Sequence, residues 1–413
     1  MRLQGVAIFL ALASSVYAEP TFSRDVSRIM QAKCQMCHRP NDIAPFSLLS
    51  YEDAATWAED IKRVISEKIM PPWKPVEGFG EFKDAYSLSD DERRTIVEWV
   101  DAGAPLGDAS ELPEQAVPTG EWQLGEPDQV LQMGEAFTPP RGKDVYRCFV
   151  VSDPFEQVTY VRAVDVIPAN RQVVHHVIMF IDESGESVKL DAAEEGPGYT
   201  CFGGPGFGIG ENSLLGGWAP GSLPKALPDG IGIYIPKGAR LVMQVHYFPA
   251  GRTGEDATRV GLYFNRTKVS KRIYYAPIVN TTFAIPPGAS NHEVPASLFF
   301  PALFGSAKII QIFPHMHLLG RQIKVEVEDS AKQVTPLIYI NDWDFNWQGF
   351  YNYKEPVALP GNSWLKATCL FDNSADNPRN PNDPLKTIRW GEGTQDEMCL
   401  AFVGLTLDNQ NLP

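Results

Sequence analysis

The spacing of hydrophobic positions changes character near residue 109. Before it, apolar residues recur at helical spacing over 22–32, 51–67 and 89–102. The last of these opens on Ser89-Asp90-Asp91-Glu92, a capping-type start, and ends before Gly103. Residues 109–124 carry acidic residues and prolines without an apolar period and read as a linker. Beyond it lie short β-type runs at 158–166, 173–181, 239–248, 260–264, 308–313, 322–327 and 364–371, broken by Gly, Pro, Asn and Asp. Regularly spaced strands with no helices between them predict sandwiches or barrels. The stretch is too long for one sandwich, so two stacked units are expected.

The first residues change where this fold is placed. Arg2, the apolar run 6–13 and the small-residue end at Ala18 have the form of a secretory signal peptide, 1–18. The run is well short of the roughly 20 residues a membrane span requires, and no later stretch is long and apolar enough to span. Of 413 residues, 44% are hydrophobic, ordinary for chains with large buried cores. The net charge of −15 argues against nucleic acid or an anionic membrane as partner.

Candidate chemistry begins at Cys34-Gln35-Met36-Cys37-His38, two thiols and a histidine at the spacing of a c-type haem attachment site. The thiols would form thioethers to the porphyrin and His38 would serve as proximal iron ligand. A zinc site would ordinarily show a second Cys-x-x-Cys pair, and none exists. Met70, on the Ile69-Met70-Pro71-Pro72-Trp73 loop, is the candidate sixth ligand; Met36, inside the attachment loop, is a poor one. Residues 20–108 are therefore expected to form an all-α cytochrome c-like haem domain. Haem c is attached outside the cytoplasm in bacteria, so motif and signal agree on a periplasmic or secreted bacterial protein. The remaining cysteines, Cys148, Cys201, Cys369 and Cys399, are expected to form two disulfides, with three connectivities open.

Five of the other six histidines fall in three clusters on predicted strands: His175-His176, His246, and His315-Met316-His317. His315 and His317 are two apart, so a strand puts both rings on one face. His175 and His176 would face opposite ways unless the strand ends or bulges there. One histidine alone is more often a satisfied core or surface residue than a ligand, but five so clustered favour a metal. Nitrogen-rich sites suit copper, zinc, iron or nickel, and a haem on the same chain favours a redox metal, copper above all. His292 lies among turn residues and reads as exposed or as a turn partner.

The run 173–180 with His175-His176, the strand 242–247 with His246, the HMHLLG at 315–320 and Asp396-Glu397-Met398-Cys399 occur in one order. Together they resemble the copper type II, ascorbate-dependent monooxygenases, which include peptidylglycine α-hydroxylating monooxygenase and dopamine β-monooxygenase. The similarity also takes in Gly217-Trp218-Ala219-Pro220 and Leu227-Pro228-Asp229-Gly230, and it covers about 125–413. It implies two all-β jelly-roll-like sandwich domains, 125–268 and 269–413, after the all-α domain. By the same resemblance, His175, His176 and His246 would hold an electron-transfer copper. His315, His317 and Met398 would hold a second, where dioxygen is activated. It also implies the disulfides Cys148–Cys201 and Cys369–Cys399.

Two departures from the family shape the expected function. Peptide-hydroxylating members hold the substrate carboxylate with an arginine before the H-x-H pair and an asparagine and a tyrosine after Met-Cys. Phe313, Leu400 and Phe402 stand at those places here. An apolar lining cannot pair a buried carboxylate, so an apolar or aromatic C–H substrate is expected instead. The fused haem is the second departure: tethering raises a donor's effective concentration to roughly millimolar for a short linker. It would pass electrons, received from an ascorbate-like reductant or a periplasmic redox protein, to the first copper. The expected protein is thus a copper monooxygenase; the alternative is a copper and haem electron carrier or copper-handling protein without oxygen insertion.

Overall fold

The computed structural model describes residues 19–40, 42–83, 85–114, 121–210, 213–220, 222–248 and 253–412. The expected signal peptide 1–18 and residues 115–120 of the expected linker lie outside them. The chain divides into two compact units, Met1–Pro71 with Tyr86–Val117, and Pro72–Ala85 with Pro118–Pro413.

The first unit carries a π-helical turn, Phe22–Val26, and the α-helices Ser27–Lys33, Tyr51–Thr56, Ala58–Ser66 and Asp90–Asp101. Asp90–Asp101 starts as its sequence predicts: the Glu92 N–H donates to the Ser89 hydroxyl, and the Ser89 N–H donates to the Glu92 carboxylate. The helix expected over 51–67 is interrupted at Trp57, where φ is −100° and ψ is 11°. Phe22, Val26, Met30, Ile61, Ile65, Ile96 and Trp99 form the core of this unit.

These elements correct the expected fold class. The chain is mostly β-sheet, and no all-α cytochrome c-like domain stands at its N-terminus. The physical reason lies in what separates the helices, none of which here exceeds 12 residues. Pro40, Pro45, Pro71, Pro72 and Pro75 interrupt the helical spacing, because proline lacks the N–H that a continuing helix would use. Irregular backbone fills the gaps.

The second unit is built of stacked sheets. One five-stranded sheet runs Gln129–Gln132, Arg259–Phe264, Thr159–Ile167, Ile231–Ile235, Lys271–Arg272. The other runs Tyr199–Thr200, Val145–Val150, Arg240–Tyr247, Val174–Asp182, Leu214–Trp218. Their facing residues, among them Leu131, Val161, Val260, Val177, Met179 and Val245, share one core. A second pair of four-stranded sheets follows: Tyr274–Asn280, Cys399–Leu407, Ala307–His315, Tyr351–Leu359, and His292–Phe300, Ser363–Phe371, Gly320–Glu328, Val334–Ile340. It encloses Ile309, Ile323, Val325, Leu365 and Val403. Cys148–Cys201 and Cys369–Cys399 are both disulfide-bonded, each with Cα atoms 5.8 Å apart. Among the described residues no helix is long and apolar enough to cross a membrane.

The excursion Pro72–Ala85 belongs to this β unit although it interrupts the first unit in sequence. The Val76 N–H donates to the Tyr339 carbonyl at 2.8 Å, and the Lys83 N–H donates to that of Asn352 at 2.7 Å. Phe82 is only 4% exposed and joins the core of the second sandwich, with its ring 5.3 Å from Tyr351 and 5.1 Å from Tyr353. Phe82→Ala is accordingly expected to destabilise the β unit by about 3–5 kcal/mol, the usual cost of emptying a buried phenylalanine site. Denaturant unfolding followed by circular dichroism checks this, and a change below about 1 kcal/mol, typical of surface positions, contradicts it.

Candidate metal centre

Arg240–Tyr247 is central in its sheet and reads Arg-Leu-Val-Met-Gln-Val-His-Tyr, with every residue after Arg240 buried. On one side Val174–Asp182 sets His176 opposite His246, and on the other Val145–Val150 sets Tyr146 opposite His246. The ladder with Val174–Asp182 shifts register between Val174 and His176. That bulge removes the strict alternation that would have turned His175 and His176 to opposite faces. The ligand-type atoms of His175, His176 and His246 all lie within 4.8 Å of one another.

The nitrogens that converge can be identified from their partners. His246 Nε2 lies 2.9 Å from Asp144 Oδ1, so Nε2 carries the proton that the carboxylate accepts and Nδ1 keeps its lone pair. That Nδ1 lies 3.4 Å from His176 Nδ1, which lies 3.2 Å from His175 Nδ1. Burial, reinforced by the neighbouring histidines, drives the pKa of His175 and of His176 well below the usual imidazole value. Three facing Nδ1 atoms in a dry interior suit a cation. His175 Nε2 is buried without a hydrogen-bond partner. Tyr146 covers the other side of His246, its ring stacked at 4.1 Å and 7°.

The second cluster presents the opposite nitrogens. His315 ends the strand Ala307–His315 and pairs with Leu400. Gln348 Nε2 donates to the Phe345 carbonyl at 2.8 Å, which leaves Gln348 Oε1 to accept from His315 Nδ1 at 2.6 Å. His317 Nδ1 likewise donates to the Asp396 carbonyl at 3.1 Å. Both Nε2 atoms therefore keep free lone pairs, with the rings 5.0 Å apart and nearly perpendicular. Burial lowers the pKa of His315 to about 4 and that of His317 to about 3. Phe345 lies between the clusters, stacked on His175 at 4.3 Å and edge-on to His317 at 5.7 Å.

The Met398 backbone is tied to the turn that carries His317 through Glu397. The Glu397 carboxylate accepts the backbone N–H groups of His317 at 2.9 Å, Leu319 at 2.6 Å and Met398 at 3.3 Å. One side chain thus ties the turn after His315 to the residue before Cys399. Burial pushes its pKa up to about 8 against those three bonds. Gly320 closes the turn, and a Cβ there would lie 2.8 Å from Trp343 and 2.9 Å from Met316. Phe313 pairs with Phe402 one step along the same face from the His315–Leu400 pair. Phe313 stacks on Phe350 at 4.5 Å and lies 6.2 Å from the His315 ring.

In the first unit, Cys34 and Cys37 lie beyond the end of Ser27–Lys33, and neither is in a disulfide. The His38 N–H donates to the Cys34 carbonyl at 2.9 Å. His38 Nδ1 donates to the Phe46 carbonyl at 3.2 Å, leaving Nε2 free. Cys34 packs against the core of this unit, whereas Met70 is not part of it. His292 begins the strand His292–Phe300 and pairs with Phe371.

Sequence reasoning did not single out Asp144, Tyr146, Phe345 or Gln348. Their residue types carry no signal without knowing which strands adjoin. Glu397 sat inside a quoted motif, but only its burial reveals what it does.

Residues 281–405 match the family described as copper type II ascorbate-dependent monooxygenase, C-terminal domain. MOXD1 homolog 1 of Drosophila melanogaster is 25% identical over 258 residues, 56% of this chain and 35% of that protein. Human DBH-like monooxygenase protein 1 is 23% identical over 286 residues, 64% of this chain and 44% of its own. Peptidyl-glycine alpha-amidating monooxygenase A of Xenopus laevis is 24% identical over 300 residues, 69% and 29%. The likeness of residues 281–405 is thus to a domain of the copper type II ascorbate-dependent monooxygenases, and the human and Xenopus laevis relatives are named as monooxygenases. The match spans less than half the length of each of these relatives. Among solved structures, PNGF-II matches with a TM-score of 0.27 at 10% identity over 72% of this chain and 65% of that one, too low to inform the fold.

An imidazole whose folded pKa lies below its unfolded value of about 6.5 binds fewer protons folded than unfolded, so acid favours unfolding. The imidazole contribution to the stability of the metal-free protein should be fully present above pH about 6.5 and be lost as the pH falls towards about 4, the value for His315, whereas Glu397, raised to about 8, acts with the opposite sign at higher pH. Denaturant midpoints across that range check this. His315→Gln should flatten the slope, and a slope that this substitution leaves unchanged contradicts the account.

Proposed function

We propose that the protein is a periplasmic or secreted copper monooxygenase that hydroxylates a C–H bond of a small apolar or aromatic substrate with dioxygen. Electrons would arrive through a c-type haem on the same chain, from an ascorbate-like reductant or a periplasmic redox protein. The observation that carries the reading is the pair of unlike histidine clusters in one β unit. One presents three Nδ1 atoms; the other presents two Nε2 atoms, with the Met398 N–H bound by the same Glu397 carboxylate that accepts the His317 N–H. Storage or transport of a metal would not require two different donor sets.

Copper bound at these clusters would supply one-electron transfer at the first and dioxygen activation at the second. His175, His176 and His246 would hold the first ion through Nδ1. His315, His317 and Met398 would hold the second, the thioether favouring the reduced metal. Asp144 keeps the proton on His246 Nε2, while Gln348 and the Asp396 carbonyl keep theirs on Nδ1 of His315 and His317. Phe313, Leu400 and Phe402 would line the substrate side, excluding water and offering nothing to pair a carboxylate.

The haem reading rests on Cys34, Cys37 and His38 and asks for no all-α fold. Two thiols outside any disulfide and an imidazole oriented by the Phe46 carbonyl fit that group. Met70 is its proposed sixth ligand, and a bound haem would supply electrons one at a time.

Copper-reconstituted protein turning over under oxygen-18 gas, with candidate aromatic and apolar substrates, tests the reading. Labelled hydroxylated product supports it. His315→Ala with His317→Ala should abolish labelling and halve the bound copper while leaving iron unchanged. Oxygen uptake with no label in the product, or copper uptake unaffected by that double substitution, would refute it.

A further inference from the structure

Asp144 sits just before the strand Val145–Val150 and makes bonds in two directions. Its Oδ1 accepts the proton of His246 Nε2 at 2.9 Å. Its Oδ2 accepts the Thr394 N–H at 3.1 Å, and the Thr394 hydroxyl lies 3.3 Å from Oδ1. His246 belongs to the first sandwich and Thr394 to the loop that leads into the last strand of the second. Two residues on, Tyr146 repeats the pattern: its ring stacks on His246 and its hydroxyl donates to the Glu392 carbonyl. The same short stretch therefore grips a ring of one cluster and a loop of the other.

That loop is closed on itself. Trp390 and Glu397 form a bridge, and the Asp396 N–H donates to the Gly393 carbonyl at 2.8 Å. A displacement at Thr394 is consequently carried forward rather than absorbed. Forward of Thr394 lie the Asp396 carbonyl that holds the His317 ring, the Glu397 carboxylate that holds the His317 and Met398 backbones, and Met398 itself. Removing Asp144 would free His246 to present either nitrogen and would release the loop from its outer anchor.

We propose that Asp144 is a positioning residue for both clusters at once, fixing the nitrogen that His246 presents and anchoring the loop that delivers Met398. The inference rests on the two-copper reading for its second arm, whereas the first arm stands in the metal-free protein. Carboxylates that orient a single metal-binding histidine typically change metal affinity by about 10–100-fold when removed. An effect at the other cluster is what a local role would not produce.

The ring-nitrogen NMR spectrum of the metal-free protein should show His246 protonated at Nε2, and Asp144→Asn should mix the two tautomers. A His246 ring protonated at Nδ1 in the native protein overturns the proposal without any metal. Cu(I) affinity is then read by competition with a chromophoric chelator in two backgrounds. In the first, His315→Ala with His317→Ala leaves only the first cluster; in the second, His175→Ala with His176→Ala leaves only the second. Asp144→Asn should weaken the first cluster by about 10–100-fold and the second by about fivefold or more, a typical size for coupling between sites. Weakening confined to the first cluster refutes the shared role.

Should Asp144→Asn not fold, the Met398 methyl carbon resonance in the first background provides an independent reading. It should shift when Cu(I) fills the first cluster, and an unmoved methyl overturns the proposal. If that background takes up no Cu(I), the two-copper reading fails, and the His246 tautomer decides the first arm alone.

Discussion

Three imidazole nitrogens that face one another across 3.2 and 3.4 Å inside a sheet cannot all be satisfied by protein. The pKa values of His175 and His176 are depressed because a charged ring is poorly solvated there, so protonation is a costly way to relieve the lone pairs. A cation that accepts nitrogen donors relieves them directly. Much of the β unit can be understood as the structure needed to hold these rings in place. The bulge before His176 brings His175 round, the central strand supplies His246, and Asp144 decides which His246 nitrogen points inward.

The second cluster is held by different means, and the difference is chemical. Its two histidines are oriented through Nδ1 by an amide and a carbonyl, which hold the ring proton without adding charge. Its third proposed donor is a thioether, softer and more weakly held. The Glu397 carboxylate sits beneath, gathering three backbone N–H groups, so the loop carrying Met398 cannot move independently of His317. Phe345 separates the clusters by a single ring. Two centres so close and so unlike suit a division between receiving an electron and using it.

The strands were legible because their apolar runs are long and clearly bounded. The run at 173–181 is the strand Val174–Asp182, and that at 364–371 is Ser363–Phe371. The disulfide partners followed from family resemblance, and both pairs are formed. The helical positions were legible, but the expected all-α cytochrome c-like class was not correct: spacing registers which residues can share a helix face, while the prolines and the break at Trp57 leave only short segments. The excursion through Phe82 was hidden because nothing in a local window says that this phenylalanine fills a core formed by residues far along the chain. Asp144 and Gln348 were silent in sequence because each acts through a neighbour that only the folded chain supplies. The histidines themselves were conspicuous, since few occur and most of them cluster.

On this reading the two clusters take the same metal through different donors. X-ray absorption at the copper edge, on copper-saturated reduced protein, tests this most directly. The account predicts nitrogen scattering throughout with one sulfur shared between two coppers, and loss of that sulfur in Met398→Ala with the nitrogen shell of the first cluster intact. Nitrogen-only scattering in the native protein, or a sulfur signal that survives Met398→Ala, would contradict it.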